Sequence, residues 1–399
     1  MSQNRTQHPK AQYWINKGIF DDLQSFRELE TRISALTLNK DKGDVLEIFV
    51  EAYLHTQKIN QCVRHWIVGR IPIELRERYS LPPDGTGIDG IYETLDGKHV
   101  AYQVKYRDAS HLPYDEMSSF LGIINKFSDA VIFTNTDTIR DIAADRCRAV
   151  LASTFRDLNL DDFRGIESWL RQKPAPMTLA VPDPRYQLEA LSKIKSTLAD
   201  NDRATVVMAC GSGKTLVSLW AVEHEKPKTV LVLVPSLSLL EQTLREWSRH
   251  TSLGDNFAYI CVCSDKTVNL TDDNLEEERS EVGFRVDTDP SVVRRFLEHS
   301  FDGTKFVFST YQSAQVVGVA TQGLEPFDIG VFDEAHKTVS LPKSTFSFAL
   351  FDNNIQIKKR LFLTATPRHY NARKRNEDGD ILVASMDDEA VYGPRAYSL

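Results

Sequence analysis

Hydrophobic and polar positions follow a strand-and-helix alternation over the second half of the chain. From residue 186 onward, short apolar runs alternate with segments of helical pattern; the runs are "ATVVMAC", "TVLVLVP", "AYICVCS", "TKFVFST", "DIGVFDE" and "RLFLTAT". Continuous apolar runs of this length are typical of strands that are covered on both faces of a parallel sheet. The sequence therefore predicts an α/β domain with a parallel sheet over residues 186–385.

The first half of the chain has a different pattern. Residues 1–35 predict a helical extension, and "DVLEIFVEAYLHTQ" (44–57) places apolar residues on one face of a helix. "GIDGIYETLDGKHVAYQVKY" (87–106) predicts a β-hairpin, "DAVIFTNT" a further strand, and "IRDIAADRCRAVLAS" a helix. We therefore expect a smaller α/β domain over residues 36–172.

Prolines and charges mark the segments between and after these domains. Residues 173–185, "KPAPMTLAVPDPR", contain four prolines and predict a linker. Residues 265–292 are acidic and loop-like, which indicates a solvated insertion, with a functional acidic arm as the alternative. Residues 386–399 are expected to begin the connection to a further domain.

The composition is that of a globular protein with room for two domains, since 41% of the 399 residues are hydrophobic and 26% are charged. The net charge of -8 gives no overall basic surface, so nucleic acid would be contacted through local patches. The five cysteines are scattered, which favours buried thiols in a reducing compartment over a zinc site. The polar N-terminus and the lack of long apolar runs indicate a soluble, cytoplasmic protein with no membrane partner.

A glycine-rich motif predicts a nucleotide site in the second domain. "MACGSGKT" lies between a strand pattern and the helix pattern "LVSLWAVEHE", which is the context of a phosphate-binding loop. The glycines let backbone amides approach phosphate groups, the lysine binds the β- and γ-phosphates, and the threonine hydroxyl binds Mg²⁺. Met208 stands where the strict pattern has its first glycine. The expected nucleotide-binding residues are Gly211, Ser212, Gly213, Lys214 and Thr215.

An acidic motif at a later strand end completes this site. In "IGVFDEAH", Asp333 is expected to hold Mg²⁺ and Glu334 to orient and deprotonate the attacking water. His336 would couple the nucleotide to neighbouring motifs. "PRYQLEAL" places Gln187 upstream of the loop, where its amide can bind adenine. "LFLTATPR", "VLVLVPSLSLLEQ" and "FSTYQS" supply further polar groups at strand ends, among them Thr364.

In this order, the motifs resemble those of the DEAD/DEAH-type helicases and translocases of superfamily 2, over residues 180–385. The resemblance implies a first RecA-like domain that binds ATP and Mg²⁺. It also implies a second RecA-like domain, which contributes an arginine to the γ-phosphate and for which this chain has no sequence. We therefore expect an N-terminal piece of a longer protein, with weak ATP binding and little ATPase activity or unwinding by itself.

The hairpin carries a candidate metal site whose geometry depends on its turn. Gln103 and Lys105 alternate along the second strand and share one face. A two-residue turn would place Asp89 on the opposite face. A three-residue turn at 95–97, with a positive φ at Gly97, would pair Asp89 with Gln103. We predict this three-residue turn, or a bulge that also places Asp89 on the face of Gln103 and Lys105.

The preceding helix adds Glu47, at the border of its apolar face. Asp89, Gln103 and Glu47 offer oxygen ligands that suit Mg²⁺ or Mn²⁺, as phosphodiester hydrolysis requires. Lys105 would stabilise negative charge on the phosphate or assist deprotonation of water. Asp84 is a second acid close by. The alternative is an exposed hairpin without a site.

This set resembles the Mrr-like branch of the PD-(D/E)XK nucleases, which have a helix glutamate, "GID" and "QxK" on an α/β core. The resemblance implies that Glu47, Asp89, Gln103 and Lys105 are catalytic, with glutamine replacing the acid of the commoner pattern. Five arginines would form a local basic patch for DNA, with pairing to Glu74 and Glu77 as the alternative for two of them. They are Arg64, Arg70, Arg76, Arg78 and Arg107.

A nuclease in front of a DEAH-type translocase resembles the N-terminal part of the single-chain Type I restriction–modification enzymes, called Type ISP. The resemblance implies ATP-driven translocation on double-stranded DNA that delivers the nuclease for cleavage. It also implies methyltransferase and target-recognition domains in the same polypeptide. Two alternatives remain open. In the first, the N-terminal domain only binds DNA or a partner. In the second, the chain belongs to another defence or repair helicase with an appended nuclease.

Overall fold

The computed structural model describes residues 5–82, 87–108, 111–139, 146–174, 180–183, 185–263, 284–339, 345–367 and 386–399. The chain forms two compact units, Met1–Thr178 and Leu179–Asn274 with Val286–Leu399, and Phe284 and Arg285 group with the first. Asp84, much of the proline-rich segment and most of the acidic segment lie outside the described residues. No helix in the described ranges is long and apolar enough to cross a membrane.

The first unit combines seven described helices with a five-stranded sheet and a separate two-stranded one. The helices are α1 (Ala11–Asn16), α2 (Phe26–Ser34), α3 (Asn39–Thr56), α4 (Ile73–Tyr79), α5 (Ser118–Ile123), α6 (Ala152–Arg156) and α7 (Leu160–Leu170). The strands are β1 (Cys62–Ile67), β2 (Gly90–Thr94), β3 (His99–Lys105), β4 (His111–Leu112), β5 (Asp129–Thr134), β6 (Thr138–Ile139) and β7 (Arg148–Val150).

The five-stranded sheet has the order β1-β2-β3-β5-β7 and is covered on both faces. β1, β2 and β3 pair antiparallel, whereas β3 with β5 and β5 with β7 pair parallel. Successive residues of β3 face opposite sides of the sheet. Tyr102 packs among the buried apolar residues of α3, and Ala101 packs among those of α5. Phe155 fixes α3 against the sheet, with its ring 5.2 Å from that of Tyr53. The sheet thus gives the hairpin a rigid base.

Two strands of this sheet were not predicted. The arginine-bearing stretch before the hairpin contains β1, and "IRDIAADRCRAVLAS" contains β7, so the helix predicted there is wrong over Arg148–Val150. Arg148 explains the difference, because its guanidinium bonds to Asp129 on β5 over 2.8 Å and to the hydroxyl of Tyr92 on β2 over 3.2 Å. This long-range pairing within the sheet overrides the local helical pattern.

The second unit is built on an eight-stranded sheet. Its helices are α8 (Gln187–Asp200), α9 (Lys214–Glu225), α10 (Leu237–His250), α11 (Pro290–Glu298), α12 (Ala314–Ala320) and α13 (Glu389–Tyr392). Its strands are β8 (Arg203–Val207), β9 (Thr229–Val234), β10 (Phe257–Val262), β11 (Val286–Asp287), β12 (Thr304–Thr310), β13 (Phe327–Phe332), β14 (Ile357–Thr364) and β15 (Arg395–Ser398). Short 3₁₀ helices include Tyr311–Ser313 and Ala335–Thr338.

The sheet has the order β11-β10-β12-β9-β13-β14-β8-β15, and every pair of neighbours is parallel. The six predicted apolar runs correspond to six of these strands, so the parallel sheet is confirmed. All residues of β10 and β12 are buried, as expected for strands covered on both faces.

The two edge strands correct the sequence-based boundaries. Val286–Asp287, within the segment expected to be a solvated insertion, pairs with β10. Arg395–Ser398, expected to begin a connection, instead pairs with β8, and Gly393 just before it has a φ of 70°. A Cβ at Gly393 would lie 2.3 Å from the carbonyl oxygen of Arg203, so only glycine permits this close approach.

Candidate functional site

The glycine-rich loop connects β8 to α9 and has the conformation that phosphate binding needs. Gly211 and Gly213 have φ angles of 76° and 81°, in the left-handed region that side-chain-bearing residues rarely adopt. The hydroxyl of Ser212 donates to the carbonyl of Ala209 over 2.6 Å and closes the loop. α9 begins at Lys214 directly after the loop, so Lys214 and Thr215 lie in the first turn of the helix, where phosphate groups are commonly bound.

Lys214 and Glu334 bring the two predicted nucleotide motifs together. Nζ of Lys214 lies 2.8 Å from Oε1 of Glu334, and the two side chains are 10% and 20% exposed. Glu334 itself has a left-handed φ of 47°, and its N–H donates to Oδ1 of Asp333 over 2.9 Å. The lysine predicted to bind phosphate and the acid predicted to orient water are therefore direct neighbours.

Asp333 is a carboxylate that lacks sufficient positive charge around it. Burial, followed by the neighbouring Glu334 carboxylate, raises the pKa of Asp333 to about 6, while Lys214 acts in the opposite direction. A bound divalent cation would supply the missing charge. The donor chemistry of Asp333 and of the Thr215 hydroxyl thus fits the Mg²⁺ that accompanies ATP.

His336 links this acidic motif to the end of the next strand. Its Nδ1 lies 3.0 Å from Oγ1 of Thr364 and 3.3 Å from Oε2 of Glu334. Thr364 is fully buried, and its Oγ1 also accepts the N–H of Thr366 over 3.2 Å. His336 therefore contacts both motifs, and its coupling role stays a prediction.

Gln187 contacts the loop itself. Its Nε2 donates to the carbonyl of Ser212 over 2.9 Å, and its Oε1 accepts the N–H of Asp183 over 2.7 Å. A Cβ on Gly213 would lie 2.5 Å from the same Nε2. Gln187 therefore holds the loop in place, a role that the sequence did not suggest, and its contact with adenine stays a prediction.

Other polar groups at strand ends of this unit bond to groups within the protein. The hydroxyl of Ser236 accepts the N–H of Leu239 over 3.3 Å at the start of α10. Thr310, at the end of β12, donates from its hydroxyl to that of Ser313 over 2.9 Å. These residues have a structural role, and their contact with nucleic acid stays a prediction.

The hairpin of the first unit has the predicted three-residue turn. The N–H of Thr94 donates to the carbonyl of Lys98 over 2.9 Å, and Gly97 has a φ of 76°. β2 and β3 pair from Gly90 opposite Tyr102 to Glu93 opposite His99, and the N–H of Asp89, just before β2, donates to the carbonyl of Tyr102 over 2.9 Å. The three-residue turn is confirmed, and the pairing of Asp89 with Gln103 stays a prediction.

Asp89 directly precedes β2 and Gln103 lies on β3, and both side chains carry oxygen atoms. Oδ2 of Asp89 accepts the N–H of Val104 over 2.6 Å. Gln103 is 4% exposed, and its Nε2 donates to the carbonyl of Gly87 over 3.3 Å. Its Oε1 is buried and, within the described residues, has no hydrogen-bond partner. An orphaned buried carbonyl oxygen is costly unless another group binds it.

The charges around Asp89 show which predicted residues are close to it. Burial, and next the Glu47 carboxylate, raises the pKa of Asp89 to about 7. The Val104 N–H, Lys105 and His8 act in the opposite direction. Glu47 and Lys105 therefore act on Asp89 electrostatically, and burial of the carboxylate is the main cause of its raised pKa.

These residues fit a divalent cation. Asp89 and Glu47 would supply carboxylate oxygens, and Gln103 would supply the otherwise unpaired Oε1. Across the part of the chain that the structure describes, no three His, Cys, Asp or Glu side chains are arranged to hold a metal ion. The present set differs from such clusters because its third donor is an amide.

The sequence did not indicate His8, which the structure places beside the candidate site. Nε2 of His8 lies 3.4 Å from Oε2 of Glu47, and the histidine side chain is 8% exposed. His8 precedes α1 in a polar segment without periodicity or motif. No local signal could have shown that it meets α3.

The predicted arginine patch is only partly available for DNA. Arg64 pairs with Glu93 over 2.6 Å, so its partner is neither Glu74 nor Glu77. Arg76 donates to the carbonyl of Val68 over 2.6 Å. Arg107 pairs with Glu116. The remaining two arginines, Arg70 and Arg78, are exposed.

The fold and the nucleotide site of the second unit define a helicase- or translocase-type ATPase domain with a RecA-like fold. Residues 181–369 match the family described as "Type III restriction enzyme, res subunit". The structure also matches the ATP-dependent Type ISP restriction-modification enzyme LlaBIII bound to DNA, with 26% sequence identity and a TM-score of 0.71. This match covers 94% of the present chain and 25% of the LlaBIII chain.

Two further proteins are similar to about half of the chain. A probable helicase of African swine fever virus is 32% identical over 191 residues, which is 48% of this chain and 20% of the viral protein. A nuclease-deletion mutant of the Type ISP enzyme LlaGI, in complex with a DNA substrate mimic, is 33% identical over 55% of this chain and 20% of its own, with a TM-score of 0.43. The chain thus spans a quarter or less of these proteins, and its ATPase domain is related to Type ISP enzymes and viral helicases.

Proposed function

We propose that this chain is the nuclease and first motor part of an ATP-dependent restriction enzyme. The first unit would cleave DNA phosphodiester bonds with Mg²⁺ or Mn²⁺, and the second would contribute to ATP-driven translocation on double-stranded DNA. The match to LlaBIII supports this function, because it extends over 94% of the chain and therefore includes the first unit. Further domains in the same polypeptide, including a second RecA-like domain, belong to this proposal.

One observation carries the nuclease proposal. Gln103 is 4% exposed, and its Oε1 is buried with no hydrogen-bond partner among the described residues. An exposed hairpin without a function would not leave a buried amide oxygen without a partner. The geometry instead suits oxygen ligands prepared for a cation.

The residues of the first unit would divide the chemistry among themselves. Asp89, Glu47 and Gln103 would hold a divalent cation, which when bound polarises the phosphate and lowers the pKa of water. Lys105 follows Gln103 on the same strand face and would stabilise the negative charge that develops on the phosphate. The Val104 N–H holds Asp89 in place over 2.6 Å, so the carboxylate needs no rearrangement to act.

The residues of the second unit would act on ATP in sequence. Lys214 is paired with Glu334 in this structure, and phosphate groups in the loop would compete for the lysine. Once Lys214 binds phosphate, Glu334 is released to orient water and to accept its proton. His336 touches both Glu334 and Thr364, so it would transmit this change to the end of β14.

Nicking of supercoiled plasmid tests the nuclease proposal. We expect metal-dependent nicking by the wild-type chain, and its loss in Asp89→Ala and in Lys105→Ala. Asp161→Ala is the matched control, since its carboxylate is exposed and pairs only with the exposed Arg164 in the described structure. Cleavage that survives both substitutions would refute the site.

The alternative function, in which the first unit only binds DNA or a partner, gives a different result. A gel-shift assay would then show DNA binding, while the nicking assay would show no metal-dependent product. If this piece alone does not nick, the full-length enzyme with ATP decides, because translocation would be needed to deliver DNA to the nuclease.

A further inference from the structure

The first unit holds a cluster of ionisable side chains at the edge of the candidate nuclease site. Nε2 of His8 lies 3.4 Å from Oε2 of Glu47 and 3.8 Å from Oδ1 of Asp44. The side chain of His8 is 8% exposed, whereas that of Glu47 is 35% exposed. A buried imidazole therefore covers one side of a carboxylate that would otherwise be free to rotate in solvent.

The local backbone determines which nitrogen of His8 carries a proton. The N–H of Lys10 donates to Nδ1 of His8 over 3.3 Å. In the neutral ring, one nitrogen accepts and the other carries the hydrogen, so the hydrogen resides on Nε2. Nε2 is the atom that faces Glu47. The hydrogen-bearing nitrogen of the imidazole therefore lies 3.4 Å from the Glu47 carboxylate.

A second acid on the same helix holds the backbone around His8. Glu51 is 2% exposed and accepts the Thr6 hydroxyl over 2.5 Å, the Gln7 N–H, and the His8 N–H over 3.3 Å. Glu51 lies one helical turn after Glu47 on α3. The same helix therefore carries both the anchor for this segment and the acid that the histidine contacts.

The side chain of Gln7 ties the segment to the sheet as well. Its Nε2 donates to the carbonyl of His65 over 2.5 Å, and its Oε1 accepts the N–H of Ile67 over 3.4 Å. His65 and Ile67 belong to β1, at the edge of the sheet that carries the hairpin. His8 is thus held from both α3 and β1.

Asp44 has its own cationic partner. Nζ of Lys10 lies 2.6 Å from Oδ2 of Asp44 and 3.2 Å from Oδ1 of Asp41. The lysine balances the acids of the preceding turn, and His8 is the basic group next to Glu47. The roles of Lys10 and His8 can therefore be separated by substitution.

We infer that His8 is a positioning residue of the nuclease site, whose Nε2–H holds the Glu47 carboxylate in the orientation in which it serves as a ligand for a divalent cation. This inference rests on the proposed nuclease function. It assigns a role to the segment before α1, which the sequence indicates only as a helical extension. Groups that hydrogen-bond to metal ligands change metal affinity or activity by about 10–100-fold when they are removed.

Mn²⁺ binding to the whole chain, measured calorimetrically without nucleotide, tests the inference. The binding that Asp89→Ala removes is assigned to the hairpin site. For that binding, we expect His8→Ala to raise the dissociation constant about tenfold. His8→Gln, whose amide can donate to Glu47, should stay within about threefold of wild type. Lys10→Ala is the matched control on the same segment and should have no more than about a twofold effect.

Nicking as a function of Mn²⁺ concentration gives a second readout. A positioning role predicts that His8→Ala shifts the activation curve to higher Mn²⁺ and that His8→Gln restores it. Hydrogen exchange of α3 peptides shows whether His8→Ala disturbs the fold. If it does, the Mn²⁺ dependence of His8→Gln decides whether His8 positions Glu47.

Two results would overturn the inference. Equal Mn²⁺ affinity of wild type and His8→Ala would show that Glu47 needs no positioning. Equal weakening in His8→Ala and His8→Gln, with α3 intact, would show that donation to Glu47 is not the function. If Asp89→Ala removes no Mn²⁺ binding, the metal site itself is absent, and the proposed nuclease function is refuted together with this inference.

Discussion

Asp89 accepts the N–H of Val104 at its Oδ2 over 2.6 Å, across a hairpin that closes in a three-residue turn. The turn depends on Gly97, which has a φ of 76°, and on the hydrogen bond from the Thr94 N–H to the Lys98 carbonyl over 2.9 Å. Since side chains alternate along a strand, one residue more or fewer in the turn would move Asp89 to the other face. The candidate nuclease site is therefore coupled to a turn that is not part of it.

Shortening the turn should therefore abolish nicking without removing a catalytic group. We expect deletion of Leu95 to eliminate metal-dependent plasmid nicking, because the changed register moves Asp89 relative to Gln103 and Lys105. Binding of a fluorescent ATP analogue by the second unit should be unchanged. Full nicking activity of the deletion variant would show that the register is irrelevant to the site.

A β-branched residue at Gly97 should destabilise the first unit. Gly97→Val places a side chain at a positive φ, which costs about 1–2 kcal/mol. Gly122→Ala is the control, since Gly122 has no positive φ and a Cβ there meets nothing within 4 Å. Hydrogen exchange of β2 and β3 peptides measures the difference, and equal protection in the two variants would contradict the prediction.

The ion pair of Lys214 and Glu334 should oppose ATP binding. Glu334→Gln removes the competing charge, so we expect binding of a fluorescent ATP analogue to tighten about three- to tenfold, as for a partly buried pair worth about 1 kcal/mol. Lys214→Ala should abolish binding. Glu298→Gln, at an exposed pair with Arg294, is the control and should have no effect. Weaker binding by Glu334→Gln would refute the competition.

The buried pair of Arg148 and Asp129 should contribute strongly to the first unit. The guanidinium of Arg148 is 16% exposed, and Asp129→Ala removes its carboxylate partner. We expect the free energy of unfolding to fall by about 3–5 kcal/mol. Asp161→Ala breaks the exposed pair with Arg164 and should cost less than about 1 kcal/mol. Hydrogen exchange of β5 and β7 peptides compares the two variants. Similar losses would show that burial does not distinguish these pairs.

Acid should destabilise the first unit through its buried histidines. Burial lowers the pKa of His55 to about 4 and that of His65 to about 3. Because these values lie below the ordinary value near 6.5, the unfolded chain binds more protons, and stability falls as the pH drops from about 6.5 towards 4. For His55 the loss approaches about 3 kcal/mol at the end of this range.

Removing the titrating ring should flatten this dependence. His55 stacks on Trp169 with ring centroids 4.9 Å apart, so His55→Phe keeps the packing and removes the proton-binding site. Hydrogen exchange of α3 peptides at pH 7 and pH 5 should then differ less than in wild type. His111→Phe, at an exposed position, is the control. An unchanged pH dependence in His55→Phe would contradict the assignment.

The sequence by itself determined the features that depend on neighbouring residues. Six apolar runs were sufficient to predict the strands of a parallel sheet, because a strand buried on both faces needs little else. The glycine-rich loop is contiguous, so its residues and their order were readable directly. The parity of the hairpin was predictable for the same reason, since Gly97 and the alternation of β3 are local.

The tertiary structure alone decided what depends on residues far apart in the chain. β7 forms as a strand because Arg148 finds Asp129 and Tyr92, and the edge strands form because a neighbouring strand is there to pair with. His8 meets Glu47, and Lys214 meets Glu334, only after folding closes the intervening chain. Such contacts depend on packing and on the burial of charge, and no pattern of neighbouring residues predicts them.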